Sequence, residues 1–210
     1  MMNTNLKTLG AVTLACGALF GASVAQAAAC TATSGQASFI AGATTADVTL
    51  GGLDSSQCII SGVNPAQGPS GNTSGFDGAF GSGWSLLSKG AGSTTIDGVN
   101  FTLAFTQTSG TTGTWTLTSD LAATFDLVFA MHASDHSGAF LFDDHTSFAA
   151  TAQNGSWVIQ WLNNGGQVPG FSNINFFIRD VVADPVPEPA TYGLLLAGLL
   201  AGGFIARRRR

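Results

Sequence analysis

The chain has 210 residues, 45% hydrophobic and only 9% charged, with 28 glycines and a mean hydropathy of +0.29. A soluble domain usually carries roughly 25% charged residues, so neither an ordinary cytosolic enzyme nor a disordered acidic tail fits. The net charge of −5 argues against nucleic acid as a partner, and four of the seven basic residues are the last four of the chain.

The N-terminus places Lys7 before an apolar run from Leu9 to Val24, followed by Ala25-Gln26-Ala27 and then Ala28. A lone cation, an apolar stretch and small residues at −3 and −1 predict a secretory signal helix over 1–27, cleaved between Ala27 and Ala28. A permanent anchor needs a longer run without that small-residue exit. A lipoprotein signal at Cys16 would need a better residue than Thr13 three places before it.

Residues 28–185 form one passenger domain of about 160 residues, large enough to bury a core. It holds two basic residues, Lys89 and Arg179, against eleven aspartates, a net charge of −9. Its cysteines are Cys30 and Cys58, and two cysteines in an exported chain predict a disulfide, because that compartment is oxidising. Residues 61–83, rich in Gly, Pro, Ser and Asn, predict a long surface loop or a boundary after the cysteine-bearing hairpin. Beyond it the hydrophobic period is two: Val99/Phe101/Leu103/Phe105, Trp115/Leu117, Phe125/Leu127/Phe129/Met131, Trp157/Ile159/Trp161 and Ile174/Phe176/Ile178. Short strands bounded by turn residues predict an all-β, antiparallel sandwich or jelly-roll-like fold, whose Thr-rich outer faces keep it soluble with few charges.

Chemistry-bearing residues are sparse. His132, Asp135 and His136 are of suitable type for a divalent metal, with His145, Asp143 and Asp144 nearby, although the first two histidines sit at a strand-to-turn passage and need not converge. No Gly-x-Ser-x-Gly elbow, phosphate loop or dinucleotide fingerprint occurs, so neither an enzyme nor a cofactor is expected, and a metal-dependent hydrolase is the weakest of the readings. Adjacent Asp143 and Asp144 on a regular strand point to opposite faces, the wrong arrangement for a glycosidase pair. Trp84, at the edge of the loop, is the candidate for stacking on a sugar ring in a carbohydrate-binding module.

The C-terminus joins Val186-Pro187-Glu188-Pro189 to an apolar stretch from Ala190 to Ala206 and then to Arg207, Arg208, Arg209 and Arg210. The stretch is at the short limit of roughly 17–25 residues for a transmembrane helix. The arginines stop transfer and hold their end in the cytoplasm, which leaves Glu188 facing outward. These three parts in this order, over 186–210, resemble the PEP-CTERM sorting signal of Gram-negative bacteria. The resemblance implies an exosortase as partner, cutting near Pro187-Glu188-Pro189, a transient stay in the membrane, and a final place at the cell surface or in a biofilm matrix with exopolysaccharide as a further partner. The segment from Trp84 to Arg179 also resembles a recurrent PEP-CTERM ectodomain: Trp84 to Lys89, Gly113 to Trp115, the strands 125–129 and 138–142, Gly155 to Trp157, and the closing aromatic strand 171–178. Relatives often place a Lys after the central strand, where this chain has Met131-His132. No activity comes with that likeness.

Overall fold

Strict alternation along the chain produces strands, and the computed structural model, which describes residues 27–184, consists mostly of them. In chain order they are β1 (Thr31–Ala32), β2 (Thr49–Leu50), β3 (Leu53–Asp54), β4 (Gln57–Ser61), a one-turn helix α1 (Asp77–Phe80), β5 (Ser85–Lys89), β6 (Gly92–Ile96), β7 (Val99–Gln107), β8 (Thr112–Ser119), β9 (Ala123–Ala133), β10 (His136–Ser147), β11 (Gln153–Val158) and β12 (Asn173–Ala183). The expected signal helix, apart from Ala27, and the transmembrane helix over 190–206 lie outside the described residues.

The strands form a six-stranded sheet in the order β1-β4-β10-β9-β12-β5, a four-stranded sheet β11-β8-β7-β6, and the small β2-β3 hairpin. Neighbours run antiparallel as expected, except that β1 joins β4 in parallel. The larger sheets face each other across one aromatic core. Trp115 of β8 lies 5.0 Å from Phe129 and 5.4 Å from Phe176, and Phe101 of β7 meets Phe125 edge-on at 5.1 Å. Each such side chain taken fully out of water contributes on the order of 2–3 kcal/mol. The outer face of the four-stranded sheet carries the polar half of the alternation, with exposed Thr102 bonded across to Ser93 at 2.9 Å.

Two tight fits lock β8 to β11. Gly113 is the register partner of Trp157, and Gly155 that of Trp115. Each indole occupies the volume that a side chain on the opposite glycine would need: a Cβ on Gly113 would come 2.5 Å from Trp157 Nε1. The Gly-Thr-Trp and Gly-Ser-Trp triplets are therefore one reciprocal device, written once on each strand.

The segment 61–83 departs from expectation in one respect. It is largely loop, as expected, but it does not stand free: it lies over the outer face of the six-stranded sheet and makes a second core there. Phe76 and Phe80 pack with Val128, Ala130, Leu141 and Phe177, so β9 is buried on both faces. Polar groups pin this cover: the fully buried Asn175 donates from Nδ2 to Pro65 O at 2.8 Å, and Lys89 Nζ donates to Gly68 O at 2.6 Å. A segment poor in apolar residues can cover a sheet in this way when its backbone carbonyls find buried donors.

Cys30 and Cys58 form a disulfide that ties the start of the domain to β4. Closing a loop of 28 residues stabilises by about 3.5 kcal/mol in the chain-entropy treatment.

Candidate functional site

The histidine window folds into the β9–β10 hairpin, whose tight turn is Ser134-Asp135, with Ser134 at φ 60°. His132 pairs with Ser137 and His136 with Ala133, on adjacent rungs of the ladder. Adjacent rungs face opposite sides of a sheet, so the two imidazoles part. His132 Nδ1 lies 2.8 Å from Ser137 Oγ, while His136, 3% exposed, stacks on Phe39 at 4.1 Å and holds Asp135 Oδ1 at 3.0 Å. The structure thus joins Asp135 to His136 and leaves His132 elsewhere. Among the described residues no group of three or more His, Cys, Asp or Glu side chains is arranged to hold a metal ion.

Burial lowers the pKa of His132, against the opposing pull of Asp135. Burial lowers that of His145 as well: its ring lies against Phe125 and Phe142, with Nε2 3.0 Å from Gln153 Oε1. Both side chains are held as neutral polar members of the packing.

Trp84, half-buried, is less available than its sequence position implies. Its Nε1 donates to Gly81 O at 2.6 Å, Phe76 meets it edge-on at 5.9 Å, and the Arg179 guanidinium lies 4.1 Å above its ring. One face of the indole is already taken by a cation.

Arg179 belongs to a cluster that composition alone did not reveal. It donates from Nε to Asp126 Oδ2 at 2.9 Å and from Nη1 to Ser82 O at 3.2 Å, while Asp126 Oδ1 accepts the Asp144 backbone N–H at 2.9 Å. Asp126 is on β9, between a bulge on β10 (Phe142/His145) and one on β12 (Arg179/Val182). Each bulge turns a polar group toward the same carboxylate. The signal in the sequence was an Asp in the middle of an apolar strand, which requires a partner once buried.

Near the N-terminal end of the described residues, Ala28 donates its N–H to Thr45 Oγ1 at 3.1 Å and its carbonyl accepts from Thr45 N at 2.8 Å. At the other end, Asp184 N donates to Ala122 O at 2.8 Å, immediately before the tail. The residues Pro187, Glu188, Pro189 and Arg207 to Arg210 lie outside the described residues.

A family model for the PEP-CTERM protein-sorting motif matches residues 185–210. The chain therefore carries that motif, which supports exosortase-dependent sorting of an exported protein and membrane-associated processing at its C-terminus. Comparison with curated proteins and with solved structures gives no match.

Proposed function

We propose that this is an exported, non-catalytic cell-surface or extracellular-matrix protein, associated with exopolysaccharide in a biofilm and released from its membrane tail by an exosortase. The observation that carries the reading is the sorting motif over 185–210, placed directly after a disulfide-closed β domain. The markedly acidic passenger and its Thr-rich outer sheet suit a hydrated extracellular setting. The Ser137–His132 contact comes nearest to a nucleophile–base pair, but Ser137 is only 4% exposed, which favours a structural part for it.

The parts of the tail act at different depths. The arginines fix orientation, the apolar stretch holds the membrane, and Glu188 between two prolines meets the protease on the outer side. A plain anchor is indifferent to Glu188. In a host with its exosortase, Glu188→Ala is expected to leave export intact and to accumulate a form that retains Arg207 to Arg210, while wild type loses them. C-terminal peptide mass spectrometry reads the difference. If wild type keeps the arginines and the variant behaves identically, the tail is an anchor only.

A further inference from the structure

Strand β10 outruns its neighbour. Its pairing with β4 ends at Leu141, and beyond that point the bulge, with Asp144 at φ 49°, breaks the alternation of faces. Contrary to the expectation for adjacent residues on a regular strand, Asp143 and Asp144 therefore line one cavity. It has a volume of about 350 Å3, at the small end for ligand sites. Gly51 and Leu53 of the β2–β3 hairpin line it together with Phe148 and Gln153.

Four large apolar side chains are exposed among the described residues, and two of them, Leu53 at 62% and Phe148 at 61%, are in this cavity. Neither Asp143 nor Asp144 has a cationic partner among the described ion pairs. Burial, and then the Asp126 carboxylate, hold the Asp143 carboxyl above its usual range against the pull of Arg179, so three carboxylates (Asp126, Asp143 and Asp144) share one guanidinium and the charge here is compensated only in part. Gln153 is fixed by its own bonds, Nε2 to Thr146 O at 3.0 Å and Oε1 to His145, which gives the cavity a rigid wall.

We propose that this cavity binds a sugar residue bearing a free ammonium group, as part of a polysaccharide. Carboxylates only accept hydrogen bonds, so the ligand must be rich in donors, and hydroxyls with an ammonium supply both donors and the missing charge. The C–H face of a pyranose matches the exposed Phe148 ring and the Leu53 methyls. An added peptide strand fits poorly, because the bulge interrupts the ladder it would join. The proposal deepens the polysaccharide part of the proposed function and is independent of processing at Glu188.

The test is titration calorimetry on the full chain in detergent, with a β-1,4-linked glucosamine tetramer, its N-acetylated form, cellotetraose and tetralysine. The glucosamine tetramer is expected to bind at least tenfold more tightly than the other three. Phe148→Ala and Asp144→Asn should each weaken it about tenfold, while Trp84→Phe leaves it unchanged. Both altered side chains are exposed, and near-UV circular dichroism verifies that the variants stay folded. Absence of binding by every sugar, binding indifferent to both substitutions, or tetralysine binding as tightly as the tetramer would each overturn the assignment. Loss of sugar binding with normal C-terminal cutting removes this site alone; the reverse result removes the sorting reading alone.

Discussion

Replacing Gly155 by alanine tests the reciprocal Gly–Trp lock most directly. A Cβ there would lie 2.6 Å from Trp115 Cε2 and inside the contact distance of the Thr49 carbonyl oxygen. Trp115 is 1% exposed and wedged among Phe129, Phe142 and Phe176, so the indole has nowhere to retreat. Overpacking of a rigid core costs roughly 1–3 kcal/mol. Relief by moving the β2–β3 hairpin outward would break Gly51 N–H to Asn154 O and Ser156 N–H to Thr49 Oγ1, each worth about 1 kcal/mol. The expected loss is about 3–5 kcal/mol, a fall in Tm of roughly 6–20 °C for a domain of this size. Gly110→Ala, where a Cβ meets nothing within 4 Å, is the control and should change Tm by little. Thermal melts followed by near-UV circular dichroism of the tryptophans read both. Adding Trp115→Phe to Gly155→Ala should recover part of the loss, because the indole nitrogen makes no hydrogen bond and its removal opens space. A Gly155→Ala protein within about 1 kcal/mol of wild type in urea titration would refute the lock.

Asp126→Asn, which keeps the acceptor for Asp144 N–H but removes the charge facing Arg179, is expected to cost about 1–2 kcal/mol, discounted because the Arg179 side chain is 18% exposed. In a double-mutant cycle with Arg179→Gln, strictly additive urea midpoints would show that the pair is not coupled. Stability should also fall on acidification from pH 7.5 to 5.5. The folded-state pKa values of His132 and His145 lie below the ordinary 6.5, so the unfolded chain takes up those protons first, and stability drops by up to about 1.4 kcal/mol per histidine per pH unit below 6.5. Asp47 and Asp143, both raised by burial, contribute with the opposite sign, stabilising below their folded pKa values and losing that effect as pH rises through them. The pair His132→Asn and His145→Gln should flatten the histidine slope; urea midpoints that rise toward pH 5.5 in wild type would contradict it.

The strands that could be read from sequence were those whose partners are one turn away. Val99 to Phe105 and Phe125 to Met131 show their faces by simple alternation, and both became strands with those faces inward. The sorting tail was legible for a different reason: it is a linear signal whose meaning needs no fold. What stayed hidden depends on pairs distant in sequence. Nothing in residues 61–83 shows that Phe76 and Phe80 will cap β9, because their partners lie some fifty or more residues away. The bulges that turn Asp144 and Arg179 toward Asp126 are register shifts in the pairing of three strands, β10, β9 and β12, and period-two reasoning misplaces Asp143 and Asp144 because it assumes an unbroken register. At the candidate metal group the same period explains the outcome once the hairpin turn is known, since residues on successive rungs separate.

The last strand sits in the interior of its sheet, with β9 on one side and β5 on the other. No stretch synthesised earlier can complete that sheet, so the native hydrogen-bond ladder waits until residue 183 has crossed the membrane. Export therefore meets a chain that lacks its closing element, which suits passage through a narrow conduit in extended form. In the proposed processing, closure takes place close to the membrane-held tail, because the four residues from Asp184 to Glu188 reach at most about 14 Å. In that processing, an enzyme cutting at Glu188 works within one protein radius of the end of the freshly docked β12, and the time that strand needs to dock sets the earliest moment at which the detached product is a finished domain.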